Sequence, residues 1–347
     1  MKKRIFFLSM FLILAESPGY GLTLHMTITG DISPKSVVYS GNGLFFAQNM
    51  MYRHNVTVYN RDYEIVKTIP DQVRLSNFGY PHKGLFHGAP VEAAFSHNGK
   101  YAWISNYEMS GVGFSQPGND ECTPAGKFDK SFVYKINTET LEIERVIEVG
   151  SVPKFLAATP DSRQVLVSNW CTGDLSVIDT EIQKTVRTIP IGRYPRGLAV
   201  TGDSRKLYIA VMGSDSIAVM DLATFAVTWL HGIGRSPRHL QLSPDNKYLY
   251  ATLNGEGHVV KISVETGRVI KKVSTGRGPR SMAISDDGRF LYVVNYHSDT
   301  LSKLDAETMK VIATLKVWHH PVGVAYDPKT EQVWVACYSG AILVFQD

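Results

Sequence analysis

The sequence predicts an all-β chain folded as a seven-bladed β-propeller. Three observations carry this: a fixed repeat, strand-and-turn patterning within it, and an unassigned strand near the start. Pro153, Pro195, Pro237, Pro279 and Pro321 each open an apolar segment and stand 42 residues apart, a period typical of repeat architectures. Within one period, Pro279 to Ile284, Phe290 to Asn295 and Leu301 to Asp305 are short β-branched and aromatic runs separated by Asp/Gly/Asn/Ser turns. Such runs are strands joined by hairpins, and four per unit make a propeller blade.

Pro90 and Pro34 open two further units, at spacings of 63 and 56 residues, so two insertions interrupt the period. One falls within 71–89, between blades 1 and 2; the other falls within 108–130, inside blade 2. The last unit ends after its third strand, Ala341 to Phe345, while Leu22 to Ile28 is a strand without a blade. The N-terminal strand is therefore expected to complete the last blade, closing the ring and covering an open edge.

Residues 1–21 read as a signal peptide: Lys2, Lys3 and Arg4 precede the apolar run Ile5 to Leu14, which is too short to span a bilayer. Export to the periplasm or cell surface is the expectation, with 22–347 as one propeller domain, monomeric and without a transmembrane segment. With 44% hydrophobic and 20% charged residues, composition excludes a disordered chain. Without the leader, 33 basic and 31 acidic residues remain, so overall charge points to no class of partner. Three cysteines, Cys122, Cys171 and Cys337, are too few for a disulfide framework. Cys122 and Cys171 are candidates for one bridge pinning the blade 2 insertion, with Cys337 left unpaired.

Leu291-Tyr292-Val293-Val294-Asn295-Tyr296, Ser243-Pro244-Asp245-Asn246 and Leu175-Ser176-Val177-Ile178-Asp179-Thr180 resemble the signature of the YVTN-repeat β-propellers, over essentially all of the chain after the leader. The resemblance implies the fold. It leaves the activity open, because such propellers include binding and scaffold proteins and neighbouring families include lactonases and haem or quinone enzymes.

Function is sought on one face. The prolines, both insertions and the ends of the second strands all map to the same side of the disc, the top. Gly-Arg-x-Pro-Arg recurs in register at 192–196, 234–238 and 276–280. The residues following the prolines are expected to ring the channel mouth: Lys35, Lys154, Arg196, Arg238 and Arg280, interrupted at Glu92 and Val322. Arg193, Arg235 and Arg277 add charge nearby, as would Lys83 if its loop folds inward. The bottom turns are acidic. Convergent guanidinium groups suit carboxylate or phosphate, and Tyr107, Trp170, Tyr296 and Tyr338, with His297, offer flat faces around the same mouth.

The leading expectation is a non-enzymatic binding or scaffold protein whose mouth takes an anionic partner: an acidic protein segment, a polyanionic glycan or a nucleic-acid strand. The competing account is that the arginines are bridges between blades, paired with Asp174, Asp215, Glu256 or Asp299. Other readings are a lactonase- or lyase-like enzyme using Glu92 with the arginines or His239, and a redox protein with non-covalent haem or quinone. No cofactor or metal is expected. His319 and His320 are adjacent, and the chain carries no Cys-x-x-Cys pair and no haem-attachment motif.

Overall fold

The computed structural model describes residues 21–347; residues 1–20, the bulk of the expected leader, lie outside the described residues. Short strands separated by tight turns can bury only one side of a hairpin, so each repeat pairs its strands into a sheet and packs that sheet on the next. Blade 3 sets the pattern, running Pro153–Ala158, Gln164–Asn169, Asp174–Asp179 and Lys184–Pro190 in antiparallel order. The innermost strands touch their neighbours all round, and Ser36–Tyr39 of blade 1 meets Pro321–Asp327 of blade 7. Seven sheets thus form a closed ring.

Closure uses the N-terminal strand. Thr23–Thr29 pairs with Ala341–Gln346, with Thr23 opposite Gln346 and Thr29 opposite Ala341. This last blade is held to the first by the stacked Phe45 and Trp334 rings, 3.8 Å between centroids, both buried. Arg61 of blade 1 forks onto the Asp327 carboxylate of blade 7 at 2.6 and 2.9 Å.

The bottom carboxylates belong to turns. Asp161, Asp203, Asp245 and Asp287 each accept from a Thr or Ser hydroxyl two residues earlier at 2.6 Å and from a backbone amide two residues later. Asp179, Asp221 and Asp305 accept from amides in the next turn. Aspartate recurs there because its short side chain closes these turns.

The two insertions behave differently. The first, within 71–89, adds the two-residue strand Gln72–Val73 to the free edge of the lengthened innermost strand Phe86–Ser96, followed by the 3-10 turn Leu75–Phe78. It lies along blade 2, where the Tyr80 ring meets Phe132 edge-on at 5.0 Å and its hydroxyl accepts from the Glu148 amide. Lys83 is exposed and does not enter the mouth. The second, within 108–130, reaches the mouth through Asp120 and is tied to blade 3 by a disulfide between Cys122 and Cys171, whose Cα atoms are 5.3 Å apart. Cys337 is a buried free thiol. No helix among the described residues is long and apolar enough to cross a membrane.

Candidate functional site

The innermost strands carry one local irregularity that shapes the mouth. In blades 3 to 7 the residue before the proline has a left-handed backbone: φ is 55° at Val152, 63° at Tyr194, 58° at Ser236, 64° at Gly278 and 57° at His320. A proline already disfavours the helical region for its predecessor, and a β-branched Val152 in the left-handed region is strained. Immediately after the proline the strand register slips, as between Pro153 and Phe155 or Pro279 and Ser281. Bulges of this kind re-aim a side chain. Here they turn the residue after the proline into the mouth, so the strain supports the site and not the sheet.

That turn corrects the expected ring at one blade. The residue following Pro90 is Val91, buried at the mouth position; the slip falls between Pro90 and Glu92, so Glu92 pairs opposite Ser105 one step further along the strand. Glu92 does not line the mouth cavity. Val322 holds the equivalent position in blade 7. The inner ring is therefore Lys35, Lys154, Arg196, Arg238 and Arg280 with two valines, and all five cations line one cavity of about 940 Å³. Gly197 permits the crowding: a Cβ there would lie 2.5 Å from the Arg238 carbonyl oxygen.

A second ring stands outside the first. In blades 3 to 7 the amide just after the second strand donates to the carbonyl before the proline, as Trp170 does to Val152, Met212 to Tyr194, Asn254 to Ser236, Tyr296 to Gly278 and Tyr338 to His320. Together with Met50 and Tyr107 of blades 1 and 2, these residues line the same cavity. Four of them are the aromatics singled out from the sequence. Met50, Met212 and Asn254 were missed, although Met212 and Asn254 sit on the same 42-residue period. His54, Glu108, Asp120 and His320 complete the polar lining; Asp120 had no signal, since it lies in an insertion outside the repeat.

Cations and rings are matched. Lys35 lies 5.0 Å from the centroid of Tyr338, Lys154 4.4 Å from Tyr107 and 5.0 Å from Trp170, and Arg280 3.5 Å from Tyr296. Tyr296 also stacks on His320 at 4.1 Å, and Trp170 on Tyr194 at 4.2 Å. These rings act as supports for the cations through their electron-rich faces.

Counter-charge is scarce. Lys154 pairs with Asp120 at 2.5 Å. Among the described residues, no ion pair reaches Lys35, Arg196, Arg238 or Arg280. The acids proposed as bridging partners are engaged elsewhere: Asp174 with Asn169, Asp215 with Ser216, Glu256 with Lys272, and Asp299 with His319. The Nε atoms of Arg238 and Arg280 are buried and unpartnered. Burial and mutual repulsion push the ring toward neutrality: Lys35 and Arg238 fall well below their ordinary values, Lys154 drops to about 7 and Arg196 to about 10. Burial pulls Asp120 upward, but the Lys154 ammonium prevails and holds it at about 2. Below the ring, burial raises Glu92 to about 7 against the pull of Arg196, and burial lowers His239 to about 3.

The first arginine of each Gly-Arg-x-Pro-Arg copy is not part of this cavity. Arg193 donates to the Tyr194 hydroxyl at 3.0 Å, Arg235 to the Gly255 carbonyl and Arg277 to the His297 carbonyl at 3.1 Å, all on the exposed rim. His297 is exposed and also outside the cavity. No group of three or more His, Cys, Asp or Glu side chains among the described residues is placed to hold a metal ion.

A family model described as a YNCE-like beta-propeller matches residues 187–343. No curated protein matches the chain. Among solved structures, hydrazine synthase of Kuenenia stuttgartiensis superposes with a TM-score of 0.72 at 17% identity, covering 95% of this chain and 99% of that chain. At that identity the likeness is one of fold.

Proposed function

We propose that this chain is an extracytoplasmic binding protein of the YVTN-repeat type that takes an anionic partner in the cationic cup at its mouth. The observation that carries the reading is the set of cations without carboxylate partners among the described residues: Lys35, Arg196 and Arg238, which are buried, and Arg280, which is half-buried. An unpaired buried charge costs several kcal/mol, and four cations without an ion pair among the described residues, Lys35, Arg196, Arg238 and Arg280, converge on one cavity, an arrangement that a bound anion would neutralise. Low-dielectric walls around convergent charge also concentrate anions from solution. The candidate partners remain an acidic protein segment, a polyanionic glycan or a nucleic-acid strand, entering the cup by an end or a projecting group. The basic, apolar start of the sequence supports export.

A thermal-shift screen of the purified protein against carboxylates, phosphates, sulfated glycans and short single-stranded DNA tests this at two salt concentrations. Stabilisation that weakens with salt and disappears in the Arg196→Ala, Arg238→Ala, Arg280→Ala triple variant is the expected result. An anion response that persists undiminished in the triple variant, or no response to any anion, would overturn the reading.

A further inference from the structure

The class of anion can be narrowed, on the assumption that the cup binds anions at all. Its positive charge is divided into separate seats, since Lys154, Arg196, Arg238 and Arg280 come from four successive blades, each following its own proline. A planar guanidinium matches a planar carboxylate through paired hydrogen bonds, so dispersed seats suit several carboxylates on one skeleton. Arg238 is 7% exposed, its Nη1 donates to the Met212 sulfur at 3.6 Å, and its Nε has no hydrogen-bond partner.

One seat already holds a carboxylate. Asp120 accepts from Lys154 at 2.5 Å, and the Tyr107 hydroxyl lies 3.4 Å from the same oxygen. The Lys154 side chain is 8% exposed but that of Asp120 is 75% exposed, so the acid reaches in from the rim and water can take it back. Between the seats, Met50, Met212 and the rings of Trp170 and Tyr338 give the wall apolar patches beside the polar Asn254, His54 and Glu108. Such a wall suits a hydrocarbon skeleton better than a run of phosphates.

We propose that the cup takes a compact polycarboxylate, one carboxylate of which displaces Asp120 from Lys154 while the others reach Arg196, Arg238 and Arg280 across an apolar skeleton. Asp120 is then an internal competitor. Its backbone carbonyl accepts from Trp170 Nε1 at 3.2 Å, and the Cys122–Cys171 bridge anchors the same loop, so the competing carboxylate stays close when displaced.

Calorimetric titration of the purified protein at low salt with benzene-1,3,5-tricarboxylate, benzoate and tripolyphosphate tests this. The tricarboxylate should bind at least about tenfold tighter than either of the others. Asp120→Asn should tighten it several-fold further, and Asp120→Ala should do the same. A glutamate tripeptide separates the two sources of such a ligand: binding at least as tight as the tricarboxylate favours the acidic tip of a protein, and weaker binding favours a free acid. A tricarboxylate no tighter than benzoate, or an Asp120→Asn protein that binds it less well, would overturn the inference. If tripolyphosphate binds through Arg238 while the tricarboxylate does not, the anion-binding reading survives and the polycarboxylate falls. If none of the three binds, both fall.

Discussion

Lys154 and Asp120 form the only ion pair among the cations of the inner ring within the described residues, a buried ammonium held at 2.5 Å by an exposed carboxylate from an insertion. The pair does not make the ring comfortable. Lys154 falls from 10.5 to about 7, from burial first and Arg196 second, which corresponds to on the order of 4 kcal/mol of cost at neutral pH relative to the unfolded chain. A cationic ring retained at such a cost implies that stability and binding are opposed at this site.

Replacing Lys154 by Met should therefore raise the stability of the free protein while weakening anion binding. Exchanging an awkward buried charge for an apolar side chain of similar size gains roughly 1–4 kcal/mol in favourable cases, and about 2 °C in melting temperature per kcal/mol is reasonable for a domain of this size. The exposed Asp120 left behind loses little. A lower melting temperature for Lys154→Met at pH 7 would show that the Asp120 pair outweighs the burial cost.

The pH dependence of stability should have two limbs. Glu92 has a folded value near 7 against an ordinary 4.5. The folded state therefore holds its proton more tightly, and that contribution is full below 4.5 and is lost as pH rises through 7. It amounts to about 3 kcal/mol. Lys154 works in the opposite sense: its cost is full below 7 and is relieved as pH rises toward 10.5. Urea unfolding of the wild type and Glu92→Gln between pH 5 and 8 isolates the first limb, because the other groups are common to both. The wild type should lose about 2.5 kcal/mol more than the variant over that range, the remainder lying below pH 5. Parallel curves would place Glu92 in contact with channel water sufficient to ionise it freely.

Much of this molecule is legible from the sequence because one arrangement is written repeatedly. The 42-residue proline spacing sets the blades, and Leu22 to Ile28 had no other place than the incomplete seventh blade. The inner ring follows from the residue after each proline, but its physical cause, a left-handed residue such as Val152 and then a slip in register, leaves no compositional mark. For the same reason Glu92 lies one step below the expected ring: the sequence orders Pro90, Val91 and Glu92 but does not say which one the bulge turns inward. Met212 and Asn254 carry no aromatic ring, so only their place on the 42-residue period of Trp170 and Tyr296 marks them. Asp120 was beyond reach, since an insertion has no second copy to compare with.

The disulfide should matter more to the mouth than to the ring. Cys122 and Cys171 are 49 residues apart, and a loop of that length corresponds to about 4 kcal/mol in the chain-entropy account. The closed loop includes two strands of blade 2 and the first two strands of blade 3, so Cys122→Ser should lower global stability by roughly 2–4 kcal/mol. It should also free the segment around Asp120, whose other ties include the hydrogen bonds from Trp170, Lys154 and Tyr107. Limited proteolysis reads this directly: cleavage within 108–130 should quicken in the variant while cleavage elsewhere stays slow. Equal protection in both proteins would show that those contacts hold the insertion without the bridge.

The two arginines of each Gly-Arg-x-Pro-Arg copy should separate cleanly. Arg238 is 7% exposed, lines the cup and has an unpartnered Nε. Arg235, three residues earlier, is exposed and already donates to the Gly255 carbonyl, with its backbone amide on Glu256. Loss of a desolvated charge-assisted contact is worth about 2–5 kcal/mol in affinity, whereas a rim charge acts mainly through long-range attraction. Arg238→Ala should thus weaken anion binding by about a hundredfold or more with little change in its salt slope. Arg235→Ala should weaken it by less than about threefold, and that loss should fade as salt is raised toward 0.15 M. Titration of both variants at two salt concentrations decides the matter. Equal losses would mean that the anion is held across the rim and not in the cup, because only a ligand lying over the top face meets Arg235 as closely as Arg238.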